Sequence, residues 1–148
     1  MEDQLEAETR AEWQELGFFY DRDDLAEEWL VVGSRAGLAR FSALLREYVA
    51  DPSNAMLSEH EHYGPYQYLE IMTWTDAGMD DHSIHGTLQD LDRLATLVDA
   101  RTTVLRPGER CRIREEFSAT SKYSLLLDLR EDGFDPAMLD GNLNPTTT

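Results

Sequence analysis

The chain has 148 residues, a formal net charge of −17 and a hydrophobic fraction of 41%. That length holds one domain with a real core, and that apolar fraction excludes a globally disordered chain. No apolar run approaches the roughly 18–20 residues of a membrane helix. An acid excess of this size repels phosphates, so neither a membrane nor a nucleic acid is expected as a partner.

The first segment, Met1–Leu16, places Leu5, Thr9, Trp13 and Leu16 on one narrow stripe, which predicts a helix stopped by Gly17. Phe18, Phe19 and Tyr20 follow as an aromatic cluster, and Trp13, Phe18 and Phe19 are expected to dock this arm onto the domain. Residues Met1–Glu28 hold 11 acids against Arg10 and Arg22, a net −9. There is no basic stretch leading into an apolar one here, so no secretory signal is read and the expected compartment is the cytoplasm.

Trp29–Val32 reads as a short buried strand ended by Gly33, with Ser34 as a helix N-cap. Leu38, Phe41, Leu44, Leu45, Tyr48 and Val49 then form the clearest amphipathic stripe in the chain, ended by Asp51-Pro52. Ser53–Gly64, with Glu59-His60-Glu61-His62 inside it, reads as a polar loop. Tyr66–Trp74 carries apolar residues on both faces, as a central strand does. His82–Gly86 is a second short strand candidate, and Thr87 caps a helix bearing Leu88, Leu91, Leu94, Ala95 and Val98 on one face. Pro107-Gly108 turns the chain into Arg110–Phe117, which alternates strictly. With Tyr123, Leu125, Leu127 and Leu129 it predicts a hairpin.

This order predicts an α+β fold: a largely antiparallel sheet of about five strands with two amphipathic helices on one face, plus the acidic N-terminal helix. The divisions are an acidic helical arm over 1–28, an α+β core over 29–136 and a frayed tail over 137–148. The later elements resemble two β–α–β–β units in tandem, starting roughly 50 residues apart, without a visible residue-level repeat.

Four constellations bear on chemistry. His60, His62, His82 and His85 fall close together in sequence; imidazoles two apart on an extended segment share a side and suit a shared metal. Glu59, Glu61, Asp80 and Asp81 stand beside them as general acid–base candidates, but no catalytic motif selects any, and no catalytic residue or cofactor is assigned. Arg110, Arg112, Arg114 and Arg130 make a basic stripe on the last hairpin, neutralised internally or solvated with its mixed charges. Tyr63, Tyr66, Tyr68 and Trp74 form an aromatic patch around Gly64-Pro65. Cys111 is the lone cysteine and reads as a buried thiol.

Trp29-Leu-Val-Val-Gly33 followed by Gly37-Leu38, the His-rich turn into an aromatic strand, and Ile84-x-Gly86 leading into Leu91-x-x-Leu94-Ala95 resemble short bacterial proteins of the immunity type. Those are small acidic α+β partners that neutralise polymorphic toxins. The resemblance spans about Trp29–Pro136 and implies no catalytic residues. The expectation is a non-enzymatic protein-binding domain for a basic partner surface. Its binding residues are read as Glu12, Asp21, Asp23, Asp24, Glu27, Glu28, Tyr63, Tyr66 and Tyr68. The alternatives are a His/Asp metal-binding domain or metal-dependent hydrolase, and a self-associating structural domain that pairs as a homodimer through the terminal hairpin.

Overall fold

A computed structural model describes residues 3–144; Pro145–Thr148 of the expected frayed tail and the first two residues of the expected arm lie outside the described residues. Local chemistry accounts for each helix. Asp3 caps α1 (Gln4–Leu16) by accepting from Glu6 N, and Gly17 ends it with a left-handed φ of +90°. Ser34 caps α2 (Arg35–Ala50), whose Leu38, Phe41, Leu44, Leu45 and Tyr48 are buried. Thr87 and Asp90 form a reciprocal capping box on α3 (Leu88–Val104), which buries Leu91, Leu94, Ala95 and Val98.

The described residues form eight strands: β1 (Phe19–Asp23), β2 (Glu28–Gly33), β3 (His60–Tyr63), β4 (Leu69–Thr73), β5 (Gly78–Met79), β6 (Ile84–Gly86), β7 (Arg110–Ile113) and β8 (Ser124–Leu129). They build two four-stranded sheets, ordered β1-β2-β8-β7 and β3-β4-β6-β5. The fold is α+β, but the expected single, largely antiparallel sheet of about five strands is corrected. Both sheets are mixed, because β2 runs parallel to β8 and β4 parallel to β6. The expected N-terminal helix is α1, which packs by Trp13 onto the core.

Two further expectations change. His60–Tyr63, read as loop, is an edge strand on β4. Phe19–Asp23, read as part of an arm, is a strand antiparallel to β2. The C-terminal segment also packs: Pro136–Leu139 forms a 3-10 turn that buries Ala137, and Asp140 is buried beyond it.

The chain is a tandem ββαββ repeat whose halves exchange hairpins. The first half gives β1–β2 to one sheet and β3–β4 to the other; the second gives β5–β6 and β7–β8 in the opposite sense. Gly33-Ser34, Leu38, Phe41 and Leu45 recur as Gly86-Thr87, Leu91, Leu94 and Val98 at one constant spacing. The registers match too: His60 faces Met72 as Arg110 faces Asp128, and Tyr63 faces Leu69 as Ile113 faces Leu125. α2 and α3 pack on each other and against the apolar strand faces, where Trp29, Val31, Ile71, Ile84, Leu125 and Leu127 are buried. The sheets join where Tyr123 N donates to Met79 O at 3.0 Å.

Candidate functional site

An aromatic cleft of about 470 Å³ opens between α1, β1, the turn before β4 and the C-terminal segment. Trp13, Phe19, Tyr20, Trp29, Tyr66 and Tyr68 line it, with Asp21, Arg22 and Asp140 supplying charge. The turn Gly64–Gln67 shapes it. Gly64 sits at φ +75°, where an added Cβ would stand 2.7 Å from the Tyr20 ring. Tyr66 and Gln67 follow at φ +66° and +56°. Such backbone costs on the order of 1–3 kcal/mol per residue and persists only where its surroundings hold it.

The holding contacts are specific. Tyr20 Oη donates to Pro65 O at 2.5 Å and accepts from Tyr68 N at 3.1 Å. Burial pushes the Tyr20 hydroxyl up to about 12, so it stays a neutral donor. Tyr66 Oη and Trp13 Nε1 both donate to Asp140 Oδ2, at 2.6 and 2.8 Å. Burial acts to raise the Asp140 carboxyl, but these donors and the backbone amides of Asn142 and Leu143 hold it below the ordinary aspartate value. Tyr66 stacks on Tyr68 with ring centroids 6.0 Å apart and meets the Trp13 edge at 6.5 Å. Tyr68 remains 66% exposed and Tyr66 43% exposed, a presented aromatic pair on a fixed base.

The sequence-predicted binding residues divide. Asp21, Tyr66 and Tyr68 line the cleft. Glu12 is exposed on α1. Asp23 is exposed but accepts from Leu25 N and Ala26 N, shaping the β1–β2 turn. Asp24 binds Arg22 Nε at 2.8 Å and accepts from Tyr123 Oη, contacts that lower its carboxyl. Glu27 lies 3.7 Å from Lys122. Glu28 is buried with Arg112 Nε at 3.1 Å. Asp24, Glu27 and Glu28 are thus engaged within the chain. Tyr63 packs against the core, and burial raises its hydroxyl.

The histidines also separate. His60 and His62 share one face of β3, and with Glu70 of β4 they bring ligating atoms within 4.8 Å of one another. His82 and His85 lie outside that group. His82 is exposed on the β5–β6 turn beside Asp81, and His85 is half-buried with Nδ1 2.9 Å from Ser83 Oγ. Burial pushes the His85 imidazole below its usual value.

Of the basic stripe, Arg110 and Arg130 converge on the buried Asp128 at 2.9 Å each, while Arg114 turns away to Glu115. Cys111 is half-buried and burial pushes its thiol up, which keeps it protonated. Two residues that carry these sites escaped the sequence reading. Asp140 lay in an assumed frayed tail, although Asp135-Pro136 with Leu139 and Leu143 beyond signalled a capped, apolar turn. Glu70 meets His62 only through the β3–β4 register. Among the described residues no helix is long and apolar enough to cross a membrane. Compared with protein-family models, with curated proteins and with solved structures, the chain matches none.

Proposed function

We propose that this chain is a non-enzymatic protein-binding domain that takes a basic partner surface, in the manner of an immunity or inhibitor protein. The observation that supports it most is the Tyr66–Tyr68 pair, presented on a strained turn beside an acidic cleft. Aromatic rings of this kind give large contact area at low entropic cost, and a face bearing Asp21 and Glu12 favours cationic groups that seat against the rings. The net charge of −17 adds long-range attraction for such a partner.

The test is affinity capture with the unaltered chain and with Tyr66→Ala/Tyr68→Ala and Asp21→Asn variants, at low and high salt. The expected result is one basic protein that is retained at low salt, is weakened at high salt, and is lost with the tyrosine pair. Recovery of no specific partner at either salt, or a partner indifferent to all three changes, would refute the reading.

A further inference from the structure

The outer face of β3–β4 carries a group that the protein-binding reading does not use. His60 Nδ1 lies 3.0 Å from Ser58 O, and His62 Nδ1 lies 3.1 Å from Gln67 O. A carbonyl oxygen only accepts, so in each ring Nδ1 carries the proton and donates it. The lone pair of each neutral imidazole is therefore on Nε2. Backbone carbonyls that fix the tautomer in this way are the usual outer support of metal-binding histidines.

His62 Nε2 then faces Glu70 Oε1 at 3.3 Å. A lone pair aimed at a carboxylate is repulsive unless a proton or a metal ion lies between them. Two ligands of a tetrahedral Zn²⁺, each about 2.0–2.1 Å from the ion, stand about 3.3–3.4 Å apart. The His60 ring meets the His62 ring edge-on, with centroids 5.2 Å apart, and offers a ligand atom within 4.8 Å of those of His62 and Glu70.

We propose that His60, His62 and Glu70 bind a divalent transition-metal ion of the zinc type. Two imidazoles and one carboxylate suit Zn²⁺ and its first-row neighbours, whereas Ca²⁺ and Mg²⁺ want an oxygen shell. Three protein ligands leave a coordination position open toward solvent. Glu70 is the least exposed of the three and anchors the site on the inner strand of the sheet. The turn that presents Tyr66 also supplies the Gln67 carbonyl that orients His62. Metal binding here stands independently of any partner at the cleft.

Calorimetric titration of the metal-stripped full chain with ZnCl₂ alone tests this. The expected result is saturable uptake of one ion per chain, weakened at least tenfold by His62→Ala and by Glu70→Gln and unchanged by His82→Ala. Absence of saturable uptake means that only a proton bridges His62 and Glu70, and overturns the proposal. So does uptake that survives both ligand changes, or is lost equally with His82. Co²⁺ added to the unaltered chain supplies a measurement free of variant folding. Paramagnetic shifts should fall on the His60 and His62 ring protons; shifts centred on His82 or His85, or none, overturn it.

Discussion

The outer faces of the two sheets occupy equivalent places in the repeat and are built in opposite ways. Arg110 and Arg112 of β7 stand where His60 and His62 stand in β3. In the first sheet the arginines carry permanent charge and meet buried acids: Asp128 takes Arg110 and Arg130, and Glu28 takes Arg112. Leu126 and Val32 lie buried on the same face. That face is complete in itself. In the second sheet the same strand positions hold the imidazoles of His60 and His62 with the Glu70 carboxylate, and Met72 replaces the buried aspartate opposite. One strand address serves stability in one copy and, in the other, is the address we propose for a metal ion.

The hardest blow to that contrast is Asp128→Ala. Asp128 is 2% exposed and accepts from two guanidinium groups. Removing it strands both; because the arginines are half-exposed, water recovers part of the loss, and a decrease of about 2 kcal/mol is expected in urea unfolding. A loss below about 0.5 kcal/mol would show that the carboxylate does not organise the face. Glu28→Gln comes next. It keeps the shape but weakens one charge-assisted bond to Arg112, for about 1 kcal/mol by the same measurement.

A smaller effect separates the sheets by pH. Burial holds the folded-state His85 imidazole below its ordinary 6.5, so the unfolded chain takes up that proton first. The contribution is fully present above that value and is lost as pH falls through it toward the lower folded value. Stability should therefore decline shallowly below about pH 6.5, and His85→Gln should flatten that part of the curve. An unchanged slope would reject the assignment. Smallest for folding is the double change His60→Arg with His62→Arg, which copies the β7 pattern into β3. Both sites are exposed, so stability should stay within about 0.5 kcal/mol while zinc uptake disappears.

Legibility in the sequence followed the range of the interactions. The three helices were readable because caps, stops and stripes are local: Gly17, Ser34, Thr87 and the Leu38–Tyr48 row all announce themselves, whereas the Asp3 cap emerged only in the fold. The terminal hairpin was readable from alternation. β3 was not, since an edge strand with His60, Glu61 and His62 exposed has no apolar period. β5 is two residues long and leaves no pattern at all. The division into two sheets depends on β2 meeting β8, a pairing no local signal encodes. The tandem order of elements was readable, but the residue-level repeat was hidden by unequal loops, which break the constant spacing of the helical segments once the chain reaches β3 and β7. At the cleft, Tyr66 and Tyr68 were legible as residue types. Their support by Asp140 and Tyr20 was not, because those partners arrive from distant parts of the chain.

The exchanged hairpins have a consequence for how the molecule is made. A nascent chain that has reached Val104 already contains every strand of the β3-β4-β6-β5 sheet but only β1 and β2 of the other. A lone two-stranded ribbon is marginal in water, so Trp29 and Val31 wait for Leu125 and Leu127 to emerge last and close the layer. Such distant strand pairing places folding toward the slow, millisecond-to-second regime. The final third of the polypeptide thus works as a clasp, and a stop between Val104 and Leu129 yields a product with one sheet finished and the other unclosed.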